Sequence, residues 1–284
     1  MIENLLLQRN WHLSVRYDGG KLISETIYCG TDRELNARLI VQPESLRILN
    51  AWWEIYRAPG FAKPEIINIS QLRGLEAYFG CGAGLRQALR YLGDHFAVEL
   101  FSDAVRGVIQ AETFLYKERG FPSSEEFEEN WTNDYNASCR YYSNIERVSQ
   151  DWYEYIGYDE RTGNLFNRTK TQILSRIGDL YSIVGHFNDS FHGIAADMLL
   201  REDGMVEKAR GVILRAPDDV CREATATLDT LDCKNILQLN KKDIAFLMGN
   251  NQGCTHLIDL ISESAATLRL FLDVDDPGSR AGRT

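Results

Sequence analysis

A chain of 284 residues, 44% hydrophobic with a formal charge of −10, is long enough for one large or two ordinary domains and apolar enough to build a real core. The acidic balance argues against nucleic acid or an anionic membrane as a partner, since neither gains from a negative protein surface. No apolar run approaches the roughly 18 residues of a membrane span, and Leu5-Leu6-Leu7 is too short and too poorly flanked for a signal peptide, so a cytoplasmic protein is expected.

Residues 1–118 read as a first unit. Leu22–Cys29 alternates in polarity and is partly β-branched or aromatic, which predicts a strand. Asn36–Gln42 is a second strand, Pro43-Glu-Ser a turn, and Leu46–Tyr56 a third strand stopped by Pro59. Helical spacing follows at Ser70–Phe79, Leu85–Leu92 and Ala97–Lys117. The glycine-rich Phe79-Gly-Cys-Gly-Ala-Gly84 lacks the Lys-Ser/Thr of a phosphate loop and follows no strand, so it reads as a break between helices.

Residues 119–171 read as a helical, aromatic-rich connector. Ser123-Ser-Glu-Glu opens an acidic helix, and Ile145, Val148, Trp152, Tyr155 and Ile156 recur at the spacing of a longer one. Residues 172–272 then repeat the order of the first unit. With a shift of 158 residues, Gly20-Lys-Leu-Ile-Ser24 falls on Gly178-Asp-Leu-Tyr-Ser182, and Arg57-Ala-Pro59 on Arg215-Ala-Pro217. Ala37, Glu44, Ala51 and Ile55 fall on Ala195, Glu202, Ala209 and Ile213. The second set of helices is expected at Asp218–Leu231, Asn240–Met248 and Cys254–Leu272. The expected fold is therefore α+β: two tandem duplicated units, each a three-stranded antiparallel sheet covered by about three helices. Residues 273–284 read as a disordered tail.

Six cysteines are scattered with no CxxC pair, which fits reduced thiols rather than a disulfide framework. Cys221 and Cys254 each stand at a helix entry, where the helix dipole favours the thiolate that a metal or cluster needs. Both fall on apolar faces: Cys221 with Ala224, Leu228 and Leu231, Cys254 with Leu257 and Ile261. The plain alternative is that they are small buried hydrophobes. Asp189 and His192, in the loop His186-Phe-Asn-Asp-Ser-Phe-His192, are further candidate ligands, or else ordinary loop residues. His256 lies two residues after Cys254 and so about 200° around the helix, on the face of Asp259 and Glu263. On one helix, Cys254 and His256 cannot close on a single ion. Farther on the offset becomes 156, a net two-residue deletion, so at the matched positions the first unit offers Val98, Leu100 and Glu34 in place of Cys254, His256 and His192. Cys29, Cys81 and Cys139 suggest no partners.

The stretch Gly253-Cys-Thr-His-Leu257 resembles the motif of an uncharacterised bacterial domain family, over about residues 178–272. More distantly, the same region resembles iron–sulfur scaffold proteins of the IscU/NifU type. Those have a short antiparallel sheet, a cysteine at a helix entry, and a last helix opened by a cysteine. That resemblance implies an iron–sulfur cluster or zinc held by Cys221 and Cys254, with His192 or Asp189 as a third ligand. Two other readings stand beside it. One is an enzyme with Cys254 as nucleophile near His256. The other is a protein that only docks a protein partner, with both cysteines inert.

Overall fold

The computed structural model describes residues 4–157 and 161–275. Nine strands form one sheet: β1 (Asn4–Asp18), β2 (Lys21–Gly30), β3 (Glu34–Val41), β4 (Ile48–Arg57), β5 (Glu65–Asn68), β6 (Asn164–Ile177), β7 (Leu180–Asp189), β8 (Gly193–Arg201) and β9 (Val206–Arg215). Their order is β5-β4-β3-β2-β1-β6-β7-β8-β9. Neighbours within each run of the sequence pair antiparallel, as in β2/β3, β3/β4, β7/β8 and β8/β9.

This sheet overturns two expectations together, the two tandem three-stranded units and the IscU/NifU-like architecture. The cause lies in β1 and β6, the two longest strands at 15 and 14 residues, which the sequence reading had not recognised as strands. Both are disguised by polar residues at inward positions. In β1 the buried alternation runs Leu7, Arg9, Trp11, Leu13, Val15. In β6 it runs Phe166, Arg168, Lys170, Gln172, Leu174. A period of two in which charged residues take the inner places does not look like a half-buried strand until their partners are known.

β2–β4 and β7–β9 lie within a few residues of their expected spans, whereas β5 was not expected; most of their inward positions are apolar, although β2 also buries Ser24 and Thr26. In β7, for instance, Tyr181, Ile183 and Phe187 are buried on one face. The pairings β3/β4 and β8/β9 both shift register twice, at Glu34/Leu35 and Ile40/Val41 in one and at Gly193/Ile194 and Leu199/Leu200 in the other.

Six α-helices are described: α1 (Gly82–Leu89), α2 (His95–Ala111), α3 (Ser124–Asp134), α4 (Trp152–Ile156), α5 (Lys241–Leu247) and α6 (Thr255–Asp275). α2 packs on β2 and β3, and α6 on β7 and β8. Asn240 caps α5 with a capping box closed by Asp243. The expected helix at Asp218–Leu231 is a 3-10 stretch, Asp219–Leu231, capped by Asp218; its buried residues include Cys221, Ala224, Leu228 and Leu231. The long connector helix is broken: only Ile145–Arg147 and α4 are helical. Between them the Ser149 N–H and Oγ donate to Asp218 Oδ2 at 2.9 and 2.7 Å, and Gln150 Nε2 donates to the Pro217 carbonyl at 2.7 Å. These bonds replace helical ones. The expected tail at 273–284 begins inside α6 as far as Asp275, and residues 276–284 lie outside the described residues.

The chain divides into two compact units. One is drawn from Met1–Arg9, Thr132–Tyr155 and Lys170–Thr284, the other from Asn10–Trp131 and Ile156–Thr169. The first unit buries its polar strand residues against α6. Arg9 Nη1 donates to Thr267 Oγ1 at 3.1 Å, Lys170 pairs with Glu263, and Gln172 Nε2 donates to the Leu260 carbonyl at 3.1 Å. Ser264 Oγ donates to Gln172 Oε1 at 2.9 Å.

Candidate metal centre

The inward alternation of β7 does not end at Phe187. Its next member is Asp189, a carboxylate at the end of the strand with 5% of its surface exposed. A buried carboxylate needs donors. Asp189 Oδ1 accepts from the N–H groups of Phe191 and His192 at 2.8 and 2.7 Å, which closes the tight turn into β8. The same oxygen lies 3.1 Å from His192 Nδ1. In the metal-free protein that nitrogen can donate to the carboxylate; to share one ion with Asp189 it would give up its proton and bind beside Oδ1. Arg215 fixes the turn from β9: its guanidinium donates to the carbonyls of Ser190, Asp189 and His192 at 2.8, 2.5 and 3.1 Å.

The third member comes from the start of α6. Cys254 is the residue before the helix, and its carbonyl accepts the Ile258 N–H at 2.9 Å. His256, half-buried in the first turn, lays its ring against His192, with centroids 4.2 Å apart, and against Phe187 at 4.9 Å. Asp259, the expected neighbour of His256, pairs with Lys241. Asp189, His192 and His256 each place a ligand atom within 4.8 Å of the other two. Metal–nitrogen and metal–oxygen bonds of about 2.0–2.2 Å put ligand atoms about 3.3 Å apart in a tetrahedron, so small side-chain rotations would close this set on one ion.

The same backbone arrangement occurs elsewhere in the chain without that chemistry. At the β2–β3 turn, Gly30 N donates to the Arg33 carbonyl at 2.9 Å, as Asp189 N does to His192. Arg57 holds the carbonyls of Thr31 and Gly30 at 3.1 and 2.8 Å, as Arg215 holds Ser190 and Asp189. Phe96, second residue of α2, lies 5.1 Å from the Tyr28 ring and 4.4 Å beneath the Arg33 guanidinium. Gly30, Arg33 and Phe96 thus stand where Asp189, His192 and His256 stand. Packing and turn closure at this position do not require ligand-type side chains, because an arginine stacked on a phenylalanine fills it as well.

Of the residues singled out from the sequence, Asp189 and His192 come together, and the residue that completes the set is His256. Helical spacing had set His256 on the flank of α6, and only the strand pairing reveals that the β7–β8 turn faces that flank. Cys221 and Cys254 are not members of the set. Both are buried, and burial pushes each thiol up to about 12, with nearby Cys139 adding to the rise. Both are therefore protonated near neutral pH in the metal-free protein. The exposed thiols are Cys29 and Cys233. A disulfide reagent at pH 8 should modify those two quickly in the native protein, while Cys221 and Cys254 react only on unfolding; peptide mapping of the labelled protein checks this.

Residues 178–269 match the family described as "Protein of unknown function (DUF2889)". The domain contains all three members of the Asp-His-His set and covers the region of the Gly253-Cys-Thr-His-Leu257 motif. No curated protein and no solved structure matches the chain, and no similarity to iron–sulfur scaffold proteins is shown. Among the described residues no helix is long and apolar enough to cross a membrane.

Proposed function

We propose that this protein binds a divalent transition-metal ion through Asp189, His192 and His256. The observation that carries the reading is the convergence of one carboxylate and two imidazoles within 4.8 Å at a position that is filled by Gly30, Arg33 and Phe96 in the equivalent turn. Two imidazoles and a carboxylate suit zinc, iron(II) or nickel, and a set without sulfur points away from an iron–sulfur cluster. Asp189 supplies the negative charge, and the turn it closes holds the His192 ring beside its carboxylate. Three protein ligands leave room for water or a small ligand on the ion, the arrangement of catalytic rather than structural sites. The alternative of Cys254 as a nucleophile toward an external substrate is opposed by burial, which keeps a substrate from the sulfur and holds the thiol protonated.

Calorimetric titration of chelator-treated protein with zinc, iron(II) and nickel tests the proposal. One ion should bind per chain, and at 100 times Kd the fold should gain about 2.7 kcal/mol of stability. Absence of binding by all three ions would leave the cluster as ordinary packing and favour a protein that only docks a partner.

A further inference from the structure

We infer that Cys139 and Cys254 are a redox pair that closes to a disulfide when a hydroperoxide reaches Cys139. The geometry is that of two irregular segments tied together on either side of the two cysteines. Arg140 N donates to the Gly253 carbonyl at 2.8 Å, and on the other side the Thr255 hydroxyl donates to the Ser138 carbonyl at 3.1 Å. One backbone bond from the residue after Cys139 to the residue before Cys254, and one side-chain bond from the residue after Cys254 to the residue before Cys139, bracket the two cysteines and set them side by side. A disulfide spans Cα atoms roughly 4.4–6.8 Å apart.

The strap carrying Cys139 is pinned at several further points. Arg140 Nε donates to the Val220 carbonyl at 3.0 Å and its Nη1 to the Gln252 carbonyl at 3.1 Å, while Ser143 Oγ donates to the Asn251 carbonyl at 2.8 Å. The segment is therefore pinned against the start of α6, which keeps the two cysteines neighbours. Cys254 is buried in the apolar cluster beneath α6; Cys139 packs against that cluster but is only partly buried, so it is the more accessible sulfur, although burial raises its thiol as well and makes its oxidation slow near neutral pH.

The chemistry balances with one peroxide per pair. The Cys139 sulfur takes the terminal peroxide oxygen as the O–O bond breaks, giving a sulfenic acid and releasing alcohol, or water from hydrogen peroxide. The Cys254 sulfur then attacks the Cys139 sulfur, the S–S bond forms, and the hydroxyl leaves as water with the Cys254 proton. Two thiols lose two electrons and two protons, and the peroxide is reduced. The site is independent of the proposed metal centre, since neither sulfur belongs to it.

The test uses metal-free protein carrying Cys29→Ser and Cys233→Ser, so that the exposed thiols cannot cross-link chains. Of the six cysteines four then remain. After treatment with hydrogen peroxide, alkylation under denaturing conditions should count two thiols, and peptide mapping should join Cys139 to Cys254. With Cys254→Ser added, no intramolecular linkage should form. Retention of all four thiols, or a linkage through Cys221, would overturn the inference. Because the readout is a covalent link mapped without metal, its failure would leave the metal reading untouched, and failure of metal binding would leave the disulfide intact.

Discussion

Replacing His256 by alanine is expected to lower metal affinity by about 100-fold or more while leaving the melting temperature of the metal-free protein close to that of the parent. His256 is half-buried at the edge of α6, and the inner face of that helix is held by Leu257, Leu260, Ile261, Ala265 and Leu268, all buried. Loss of the imidazole removes one of three ligands, a larger insult than the roughly 10–100-fold that loss of an outer partner costs a metal site. His192→Ala should act alike on affinity. Asp189 calls for a different substitution. Asp189→Ala would strand two backbone N–H groups at the turn, each worth about 1–3 kcal/mol when buried without an acceptor. Asp189→Asn keeps an acceptor for both while removing the charge, so it should weaken metal binding with little loss of stability. Calorimetry with zinc and thermal melts with and without metal separate the two effects. If His256→Ala and His192→Ala both bind metal as the parent does, the centre lies elsewhere.

The parts of this structure that could be read from the sequence are those in which burial and polarity agree. β3, β7 and β8 place apolar or small residues at alternate inward positions, β2 keeps Leu22 and Tyr28 on either side of Ser24 and Thr26, and the buried stripe of α6 at Leu257, Leu260, Ile261 and Ser264 is a plain helical pattern. β1 and β6 were hidden because Arg9, Arg168, Lys170 and Gln172 take inward places. The partners that make Arg9, Lys170 and Gln172 tolerable, Thr267, Glu263 and Ser264, lie 90 or more residues away on α6. No local window holds both halves of such a pair. The candidate centre was half legible for the same reason. Asp189 and His192 are three residues apart and share one turn. His256 joins them only because α6 packs on β7 and β8, and nothing near it in sequence indicates which strand end its helix meets. The signal that was there to be used is the alternation of β7, which, carried one step past Phe187, sets Asp189 on the inner face.

The glycine of the Gly253-Cys-Thr-His-Leu257 motif has a physical reason, and it yields the largest expected effect on the fold. Gly253 has φ −94° and ψ 179°, a conformation open to any residue, so glycine is not there for backbone freedom. It is there for space. A Cβ at this position would stand 2.1 Å from the Met248 carbonyl oxygen and 3.2 Å from that of Asn250. Both obstacles are backbone, and neither can swing aside as the end of a long side chain would. Gly253 is also tied on both sides: its N–H donates to the Asn250 carbonyl at 3.0 Å, and its own carbonyl accepts from Arg140 N at 2.8 Å. Gly253→Ala must therefore displace the turn at 248–253 and, with it, the start of α6. The expected cost is about 3 kcal/mol, the upper end for forcing a methyl into a packed site. Metal affinity should fall as well, because the displaced turn carries His256. Thr255→Ala, which removes only the hydroxyl bond to the Ser138 carbonyl, should cost about 0.5–1.5 kcal/mol. Urea unfolding of the two variants, with zinc titration of each, tests the argument. A Gly253→Ala protein as stable as its parent would mean that the 248–253 turn yields freely, and that the approach of His256 to His192 does not depend on it.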